Sequence, residues 1–265
     1  MDQKAAKTRI EQLCKEIEQH NYNYYALDKP AISDFEFDKL LEELIGLEKQ
    51  FPEFLNPESP SQRVGGTITK EFKSVKHKYP MLSLSNSYST EDMEDFDRRV
   101  CEGLGMKGND LFAQEIEYVC ELKFDGLSIG LTYVDGKLQQ AVTRGDGVQG
   151  DDVTTNVKTI KSIPLKLRGK FPSEFEIRGE IFLPRKVFDA INKEREEMGE
   201  PPLANPRNAA SGTMKMQDST VVAKRNLDCF LYHMLGENVP HKKHYENILA
   251  AKSWGFHVSE HTKVC

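Results

Sequence analysis

The chain has 265 residues, of which 38% are hydrophobic, and a formal net charge of −6, a composition typical of a cytoplasmic protein with one large domain or two unequal ones. No apolar run is long enough to span a bilayer, and the five cysteines are scattered without a C-x-x-C pair, which argues against a zinc site and a secreted disulfide framework. The net charge gives no sign of nucleic-acid binding, although a local basic groove is compatible with it.

The first 68 residues predict a small helical module followed by a linker. Apolar residues recur at helical spacing over residues 10–17. Ser33 and Glu36 then have the spacing of a capping box, which opens a second helix that runs to about Gln50. Residues 51–68 are rich in proline, serine and glycine, which is typical of a linker between domains.

Residues 69–265 predict a second, larger domain of mixed structure. A helix is expected from Ser89 through Val100. The other expected elements, in chain order, are strands over 117–123, 127–134, 137–143 and 175–183, a helix over 187–195 and a strand over 227–235. Glycine and Asp-Gly turns separate the strands, so the sequence predicts an α+β fold with mainly antiparallel sheets and flanking helices.

The segment Glu121-Leu122-Lys123-Phe124-Asp125-Gly126 carries the most informative chemistry. Alternation of apolar and polar residues predicts Glu121 and Lys123 on one face of a strand, and Asp125-Gly126 predicts a tight hairpin turn after it. A lysine beside carboxylates at a strand end is either part of a structural ion pair or a nucleophile that attacks a phosphate. The K-x-D-G pattern alone does not separate the two, because three fixed positions recur by chance in unrelated proteins.

Charged residues on two further strands are candidates for the same site. Glu176, Arg178 and Glu180 share one face of the strand over 175–183. Such a face is usually solvated, and the alternative is an acidic group that binds a ribose hydroxyl or a magnesium ion near a phosphate. Arg144 ends another strand, where it either closes a turn with a salt bridge or holds a phosphate or ribose.

Gly145, Gly147 and Gly150 fit the G-x-G-x-x-G fingerprint of dinucleotide-binding dehydrogenases. The context disagrees, because the preceding strand belongs to a meander of hairpins and the acidic Asp151-Asp152 follows where a pyrophosphate would bind. The sequence has no Walker phosphate loop either. A dehydrogenase is therefore the least favoured hypothesis.

Two other segments are candidates for ligand binding. Residues 205–212 predict a polar loop of small side chains, from which Arg207 could approach a phosphate or a DNA backbone. In the N-terminal module, tyrosines cluster over residues 22–25, and Asp34 and Asp38 lie one helical turn apart. Together they could enclose a flat cationic ring such as nicotinamide, and the alternative is an amphipathic helix with an acidic outer face.

Taken together, these segments resemble the NAD-dependent DNA ligases of bacteria over essentially the whole chain. The motifs that carry the resemblance, in the family's order, are Tyr24-Tyr25 with Asp28-x-Pro30 and Ser33-Asp34-x-Glu36-x-Asp38; His77-x-x-Pro80-Met81-Leu82-Ser83-Leu84; Glu121-x-Lys123-x-Asp125-Gly126; Thr143-Arg144-Gly145-Asp146-Gly147; Arg178-Gly179-Glu180; and Asn205-Pro206-Arg207-Asn208-Ala209-Ala210. The resemblance implies a helical nicotinamide-mononucleotide-binding module with its linker over residues 1–68 and an adenylation domain of the ATP-grasp-like nucleotidyltransferase fold over residues 69–265.

The resemblance also implies roles for single residues. Lys123 would be the nucleophile that becomes adenylated, with Asp125 of the same motif in the catalytic site. The residues on the adenosine side of NAD would be Ser83, Leu84, Glu121, Arg144, Glu180 and Tyr232, with Tyr232 stacked on adenine. The residues on the nicotinamide mononucleotide side would be Tyr24, Tyr25, Asp34, Phe37 and Asp38. The contacts to DNA or phosphate would come from Arg207 and Lys215, and Glu180 is a candidate magnesium ligand.

The implied reaction has three steps. Lys123 attacks the α-phosphate of NAD and expels nicotinamide mononucleotide, AMP passes to the 5′-phosphate of a nicked duplex, and the 3′-hydroxyl then displaces it. Attack needs the neutral amine, which desolvation or a nearby cation favours, whereas Glu121 and Asp125 alone favour the ammonium form. The expected cofactors are NAD and Mg²⁺, with zinc only in the family's C-terminal part. The expected partner is nicked double-stranded DNA, with no membrane and with the chain as a monomer.

Three departures from the family pattern matter. Phe37 stands where tyrosine is usual, Lys215 stands where arginine is commoner, and the segments with the family's further essential lysines are not among these 265 residues. We therefore expect a fragment that binds NAD or its halves and does not seal nicks alone. The alternatives that stay open are an ATP- or GTP-dependent nucleotidyltransferase, which the Tyr/Asp module disfavours, and a catalytically silent NAD-binding module.

Overall fold

The structure is a computed structural model that describes residues 2–25, 29, 31–56, 58–63, 71–106 and 116–265, without the side chains of Tyr25 and Asp34. Asp28 and Pro30 of the N-terminal motif, and residues 57 and 64–68 of the predicted linker, lie outside this description. No helix among the described residues is long and apolar enough to cross a membrane.

The described residues form eight α-helices and eight β-strands. The helices are α1 (Gln3–Tyr25), α2 (Asp34–Gln50), α3 (Thr90–Gly103), α4 (Thr154–Val157), α5 (Arg185–Glu197), α6 (Pro206–Met214), α7 (Ser219–Lys224) and α8 (His244–Trp254). The strands are β1 (Ser74–Lys76), β2 (Val119–Cys120), β3 (Leu127–Val134), β4 (Lys137–Thr143), β5 (Gln149–Asp151), β6 (Glu174–Phe182), β7 (Asp228–Leu235) and β8 (Lys263–Val264). The predicted α+β class is confirmed.

Helices α1 and α2 pack against each other through a small apolar core of their own. Its buried members are Ile10, Leu13, Ile17 and Leu44. The predicted capping box at the start of α2 is confirmed, because the Ser33 hydroxyl accepts from the Glu36 N–H at 3.3 Å and the Glu36 carboxylate accepts from the Ser33 N–H at 2.8 Å. This reciprocal pair satisfies donors that a helix start otherwise leaves without partners, and it sets where α2 begins.

Four strands form the central antiparallel sheet, in the order β4-β3-β6-β7. One face is apolar and faces the larger core, whose completely buried residues include Ile129, Leu131, Ile177 and Ile181. Ser128 pairs with Glu180 and Gly130 pairs with Arg178, so these residues lie together on the opposite face. We call this opposite face, which carries Ser128, Glu176, Arg178 and Glu180, the polar face.

Residues 117–123 do not form the predicted strand. Within them only Val119–Cys120 is paired, and its partner is β8 rather than β3. The predicted hairpin at Asp125-Gly126 is therefore wrong. Its physical reason is that β3 already pairs with β4 on one edge and β6 on the other, so no edge is left for the preceding residues. We call residues 121–126, which connect β2 to β3, the lysine loop.

The prediction of a loop over residues 205–212 is also wrong, because most of this segment lies in α6. The Asn205 side chain caps the helix by accepting from the Asn208 N–H at 2.7 Å. The buried side chains of α6 are Ala210, Thr213 and Met214. Their spacing of three and four residues is helical, and the small polar residues between them hid it in the sequence.

All strand pairs among the described residues are antiparallel. The doubly wound parallel sheet of a dinucleotide-binding dehydrogenase is therefore not formed by these strands, and the dehydrogenase hypothesis is wrong. Residues 144–148, which we call the glycine loop, instead connect β4 to β5, with positive φ angles of 55° at Gly145 and 92° at Gly147.

The segment after α2 is partly folded and contacts the larger domain. Short 3-10 helices lie at Pro52–Phe54 and Pro60–Arg63. The Arg63 guanidinium donates to the carbonyl oxygens of Lys158, Ile160 and Ile163 at 3.3, 3.0 and 3.1 Å. Part of the predicted linker therefore positions the N-terminal helices on the domain.

Candidate active site

The lysine loop is fixed on the C-terminal side of its lysine. The Phe124 ring stacks on Phe230 with centroids 4.3 Å apart and lies 6.5 Å from Phe182. Aromatic pairs of this kind add about 0.5–1.5 kcal/mol beyond the burial of their area. The Gly126 N–H donates to Glu180 Oε1 at 3.1 Å. Lys123 itself is exposed, so its ammonium group extends to solvent from a loop whose following residues are held in place.

Gly126 ends the lysine loop in direct contact with β6. A β-carbon at this position would lie 2.1 Å from the carbonyl oxygen of Ile181, a distance that no side chain tolerates. The glycine of the K-x-D-G pattern is therefore required by close backbone approach rather than by a hairpin turn. This approach sets the position of the lysine loop relative to the polar face.

Glu180 lies under the lysine loop, and each of its carboxylate oxygens accepts one hydrogen bond. Oε1 accepts from the Gly126 N–H, and Oε2 accepts from the Ser128 hydroxyl at 2.7 Å. Burial raises the pKa of Glu180, while the hydrogen bonds from Ser128 and Gly126 and the charge of Lys123 act in the opposite direction. Only 8% of its surface is exposed, so the interpretation of these carboxylates as a solvated face is wrong.

Tyr232 on β7 completes this cluster. Burial, together with the nearby Glu180 carboxylate, raises the pKa of Tyr232 to about 12, while Ser128 acts in the opposite direction. The phenol therefore stays protonated at neutral pH. The half-buried ring beside a carboxylate offers one flat apolar surface and one acidic acceptor, which is a suitable arrangement for a nucleoside.

Glu121 points toward two histidines that no sequence pattern marks. Its Oε2 lies 3.2 Å from His244 Nε2 at the start of α8, and the His244 ring packs edge-on against His233 at 5.6 Å. Burial, followed by the positive potential of His244, lowers the pKa of His233. Both histidines come from segments more than one hundred residues after Glu121, which is why local patterns do not reveal them.

The two cations predicted to contact DNA or phosphate form ion pairs with carboxylates. Arg207 Nη1 lies 3.1 Å from Asp125 Oδ1, and Lys215 Nζ lies 3.3 Å from Asp151 Oδ2. More than half of each cationic side chain is exposed, at 55% and 56%. Exposed pairs of this kind contribute about 0–1 kcal/mol, so a phosphate could replace either carboxylate at little cost.

Arg144 lies at one margin of the polar face, and Ser83 and Leu84 follow a segment that is bound to the same loop. The Arg144 N–H donates to the Ser128 carbonyl at 3.0 Å, which puts the glycine loop beside the cluster of Glu180 and Tyr232. The segment before Ser83 is hydrogen-bonded to that loop, since the Met81 N–H donates to the Gly147 carbonyl at 2.8 Å. The side chains of Ser83, Leu84 and Arg144 are exposed.

A cavity of about 520 Å³ lies between the N-terminal helices and the larger domain. Its N-terminal wall includes Tyr24, Phe37 and Asp38, and its other wall includes Lys161 and Lys186. The Lys161 ammonium lies 5.5 Å from the centroid of the Phe37 ring. An aromatic and acidic wall opposite two lysines has the charges to bind a cationic ring that carries a phosphate.

The described part of the chain contains no cluster of three or more His, Cys, Asp or Glu side chains that could hold a metal ion. Gly126 and Ser128 each donate one hydrogen bond to Glu180, and each carboxylate oxygen keeps a second lone pair, so the role of Glu180 as a magnesium ligand stays a prediction. Mg²⁺ prefers several oxygen ligands in octahedral geometry, and the other ligands would have to come from a bound substrate or from water.

Contacts within the larger domain bring six of the predicted site residues together on one surface. It contains Lys123, Asp125, Arg144, Glu180, Tyr232 and Arg207. Lys215 reaches Asp151 beside the glycine loop, whereas Tyr24, Phe37 and Asp38 lie at the separate cavity. The side chains of Tyr25 and Asp34 lie outside the described residues.

Comparison with known proteins matches both parts of the chain. Residues 69–265 match the family model of the NAD-dependent DNA ligase adenylation domain, and residues 3–65 match that of the DNA ligase-like, N-terminal NAD+-binding domain. A protein named DNA ligase from Cytophaga hutchinsonii is 58% identical over 266 residues, covering 100% of this chain and 38% of its own length. Similar proteins of the same name come from Parabacteroides distasonis, 55% identical over 98% of this chain, and Phocaeicola vulgatus, 56% identical over 97%. This chain spans 38% of the length of each of the three relatives.

Proposed function

Since the chain belongs to the family of NAD-dependent DNA ligase adenylation domains, we propose that it transfers AMP from NAD to Lys123 as the first step of DNA nick sealing. The observation that carries this proposal is the exposed Lys123 on a loop fixed by Phe124 and Gly126 above Glu180 and Tyr232. An enzyme that forms a covalent intermediate needs a nucleophile held at a defined place beside its substrate site.

The proposed step is a displacement at phosphorus. Neutral Lys123 Nζ forms a bond to the α-phosphorus of NAD, the bond from that phosphorus to the bridging oxygen breaks, and nicotinamide mononucleotide leaves with the oxygen. The attacking amine loses one proton. The product is a phosphoramidate, which is reactive enough to pass AMP to the 5′-phosphate of a nick in duplex DNA, where a 3′-hydroxyl then displaces it.

The other site residues would bind the two halves of the donor. Glu180 would accept from ribose, Tyr232 would stack on adenine, and Arg144 would contact ribose or phosphate at the edge of the pocket. Glu121, Ser83 and Leu84 would line the same half. Asp125 would exchange its partner Arg207 for the substrate, which leaves that guanidinium available to a phosphate.

The nicotinamide mononucleotide half would bind at the cavity between the two parts of the chain. Tyr24, Phe37 and Asp38 would face the nicotinamide ring, with Tyr25 and Asp34 of the same motif, and Lys161 and Lys186 supply positive charge opposite them. A volume of about 520 Å³ suits a small ligand. Mg²⁺ would enter with the phosphates of the substrate rather than occupy a site built by this chain. Nicked double-stranded DNA would be the partner of the whole protein in replication and repair.

Two alternatives use the same features. An ATP- or GTP-dependent nucleotidyltransferase would share the lysine loop and its glycine but would have no use for a nicotinamide site. A catalytically silent module would bind NAD without reacting. The match of residues 3–65 to an N-terminal NAD+-binding domain favours NAD as the donor over both triphosphates.

Intact-mass spectrometry tests the proposal. The chain is incubated with NAD or with ATP in the presence of Mg²⁺, and the Lys123→Ala and Lys170→Ala proteins serve as the negative variant and the matched surface control. We expect the mass of one AMP on the wild-type and Lys170→Ala proteins with NAD, and none with ATP. Modification by ATP alone would support the triphosphate alternative, and NAD binding without any adduct would support the silent module.

A further inference from the structure

Arg178 is a buried cation that the proposed reaction does not use. It lies at the centre of β6 with 8% of its surface exposed. Its Nε donates to Glu176 Oε1 at 2.9 Å, so the positive charge is neutralised within the same strand. Gly130 on the neighbouring strand leaves room for this pair, since a β-carbon there would lie 3.3 Å from Glu176 Oε1. Buried ion pairs often add little net stability, so the other contacts of Arg178 are of interest.

The other two nitrogens of the Arg178 guanidinium reach a segment almost one hundred residues earlier in the chain. Nη2 donates to the Tyr79 carbonyl at 2.6 Å, and Nη1 donates to the Pro80 carbonyl at 3.1 Å. A planar guanidinium can satisfy two successive carbonyls and a carboxylate at once, which the point charge of a lysine cannot do with the same geometry.

The Tyr79-Pro80 segment leads directly to residues 82–88, which are exposed and form neither helix nor strand. Immediately before them, the Met81 N–H is bound to the Gly147 carbonyl, and the His77 N–H is bound to the Val148 carbonyl at 2.9 Å. The start of this exposed stretch is therefore fixed on one side by the glycine loop and on the other by Arg178. Ser83 and Leu84 follow within four residues of Pro80.

We propose that Arg178 is a positioning residue for the nucleotide pocket, which sets the place of Ser83 and Leu84 by binding the two carbonyls that precede them. This inference rests on the proposed function for its consequence, since it assigns those two residues to the adenosine side. Arg178 acts through the segment and does not touch the reacting atoms. Loss of the two guanidinium–carbonyl hydrogen bonds would leave the lysine loop intact. It would displace Ser83 and Leu84 on the opposite side of the pocket.

Two readouts test this inference in the wild-type, Arg178→Lys and Glu176→Gln proteins. Arg185→Lys is the matched control, because Arg185 pairs with Asp189 on the exposed surface of α5. Hydrogen exchange of the His77 and Met81 amides, which donate to the glycine loop, reports the segment without reference to any activity. The half-saturating NAD concentration and the maximal rate constant of single-turnover adenylation, together with the Kd for AMP, report the pocket.

We expect faster exchange of the His77 and Met81 amides in Arg178→Lys and an increase of about tenfold in the half-saturating NAD concentration and the Kd for AMP, with the maximal single-turnover rate constant within about twofold of wild type. Glu176→Gln keeps the carbonyl contacts and should change the same quantities less, so it remains informative if Arg178→Lys does not fold. The affinity for nicotinamide mononucleotide, which binds at the cavity, should not change in either variant.

Unchanged exchange of the His77 and Met81 amides, or unchanged affinity for AMP despite faster exchange, would overturn the inference. Faster exchange throughout the domain with equal loss of affinity for both halves of NAD would also overturn it, because that result describes a purely structural role. If the wild-type chain is not adenylated, the proposed function fails, and the exchange and AMP measurements then decide the inference by themselves.

Discussion

The backbone of Gly126 lies against the carbonyl oxygen of Ile181, so closely that a β-carbon on Gly126 would be 2.1 Å from that oxygen. The contact fixes the end of the lysine loop to the strand that carries Glu180. It also puts the Gly126 N–H within 3.1 Å of Glu180 Oε1. The position of Lys123 over the polar face therefore depends on the absence of a side chain three residues later.

Gly126→Ala should destabilise the protein and prevent adenylation. The added methyl group must displace the backbone of β6 or the lysine loop, which lowers the free energy of unfolding by about 2 kcal/mol or more. Chemical denaturation and the adduct assay measure the two effects. Gly46→Ala is the control, because that position in α2 has no atom within 4 Å, and it should stabilise by about 0.5–1 kcal/mol. Equal stability of the Gly126→Ala and wild-type proteins would contradict the account.

Glu180→Gln should become more stable than wild type as the pH rises. The difference in the free energy of unfolding between the two proteins should grow with pH. The pKa of Glu180 is raised in the folded state, mainly by burial, so its contribution to stability is complete below the unfolded value and is lost as the pH rises through the folded value. The neutral amide removes this loss. The same substitution should weaken the binding of AMP about tenfold, because a charged acceptor for ribose is lost.

Glu36→Gln provides a control of opposite sign for the pH experiment. Hydrogen bonds from Ser33 lower the pKa of Glu36, so its stabilisation is present at neutral pH and is lost as the pH falls. Urea denaturation across the acidic range measures the free energy of unfolding of each variant and of wild type. As the pH rises, Glu180→Gln should become more stable than wild type and Glu36→Gln should become less stable. A pH-independent difference for Glu180→Gln would mean that burial does not disfavour its carboxylate.

Phe124→Leu should slow adenylation about tenfold while changing the free energy of unfolding by about 1 kcal/mol. Leucine retains apolar volume but loses the stacking on Phe230, so the lysine loop gains freedom next to its nucleophile. Phe35→Leu is the control, since that ring is 70% exposed on α2. Single-turnover kinetics with NAD measure the rate, and a rate equal to that of the control would show that the aromatic stack does not position Lys123.

Lys161→Gln and Lys186→Gln should each weaken the binding of nicotinamide mononucleotide about three- to tenfold, because each removes a positive charge that faces its phosphate. Nicotinamide riboside, which has no phosphate, should bind both variants and the wild type equally. Lys170→Gln removes an exposed lysine that does not line the cavity and is the matched control. Calorimetry with both ligands makes the comparison. Equal loss of affinity for the riboside would place the lysines at the ring instead.

Local sequence patterns predicted correctly those helices and strands whose ends are determined by residues close in sequence. The capping box of Ser33 and Glu36 starts α2 where predicted, because both of its hydrogen bonds are made within four residues. The strands β3, β4, β6 and β7 lie within one residue of their predicted ranges, since alternation and glycine turns define them. These elements build the sheet that supports the site.

Contacts distant in sequence account for the features that the patterns missed. Glu121 and Lys123 alternate like a strand, but whether they pair depends on the edges of β3, which β4 and β6 already occupy. Arg178 has the pattern of a solvated strand residue and is buried because the Tyr79-Pro80 segment covers it from 98 residues away. No window of local sequence contains that information.

The most direct test of the central claim is tandem mass spectrometry of the peptide that contains residues 121–126, after incubation of the wild-type chain with NAD and Mg²⁺. The account predicts one AMP on Lys123 through an acid-labile bond, with nicotinamide mononucleotide released in equal amount. AMP on Lys161, Lys215 or another lysine, with Lys123 unmodified, would contradict it.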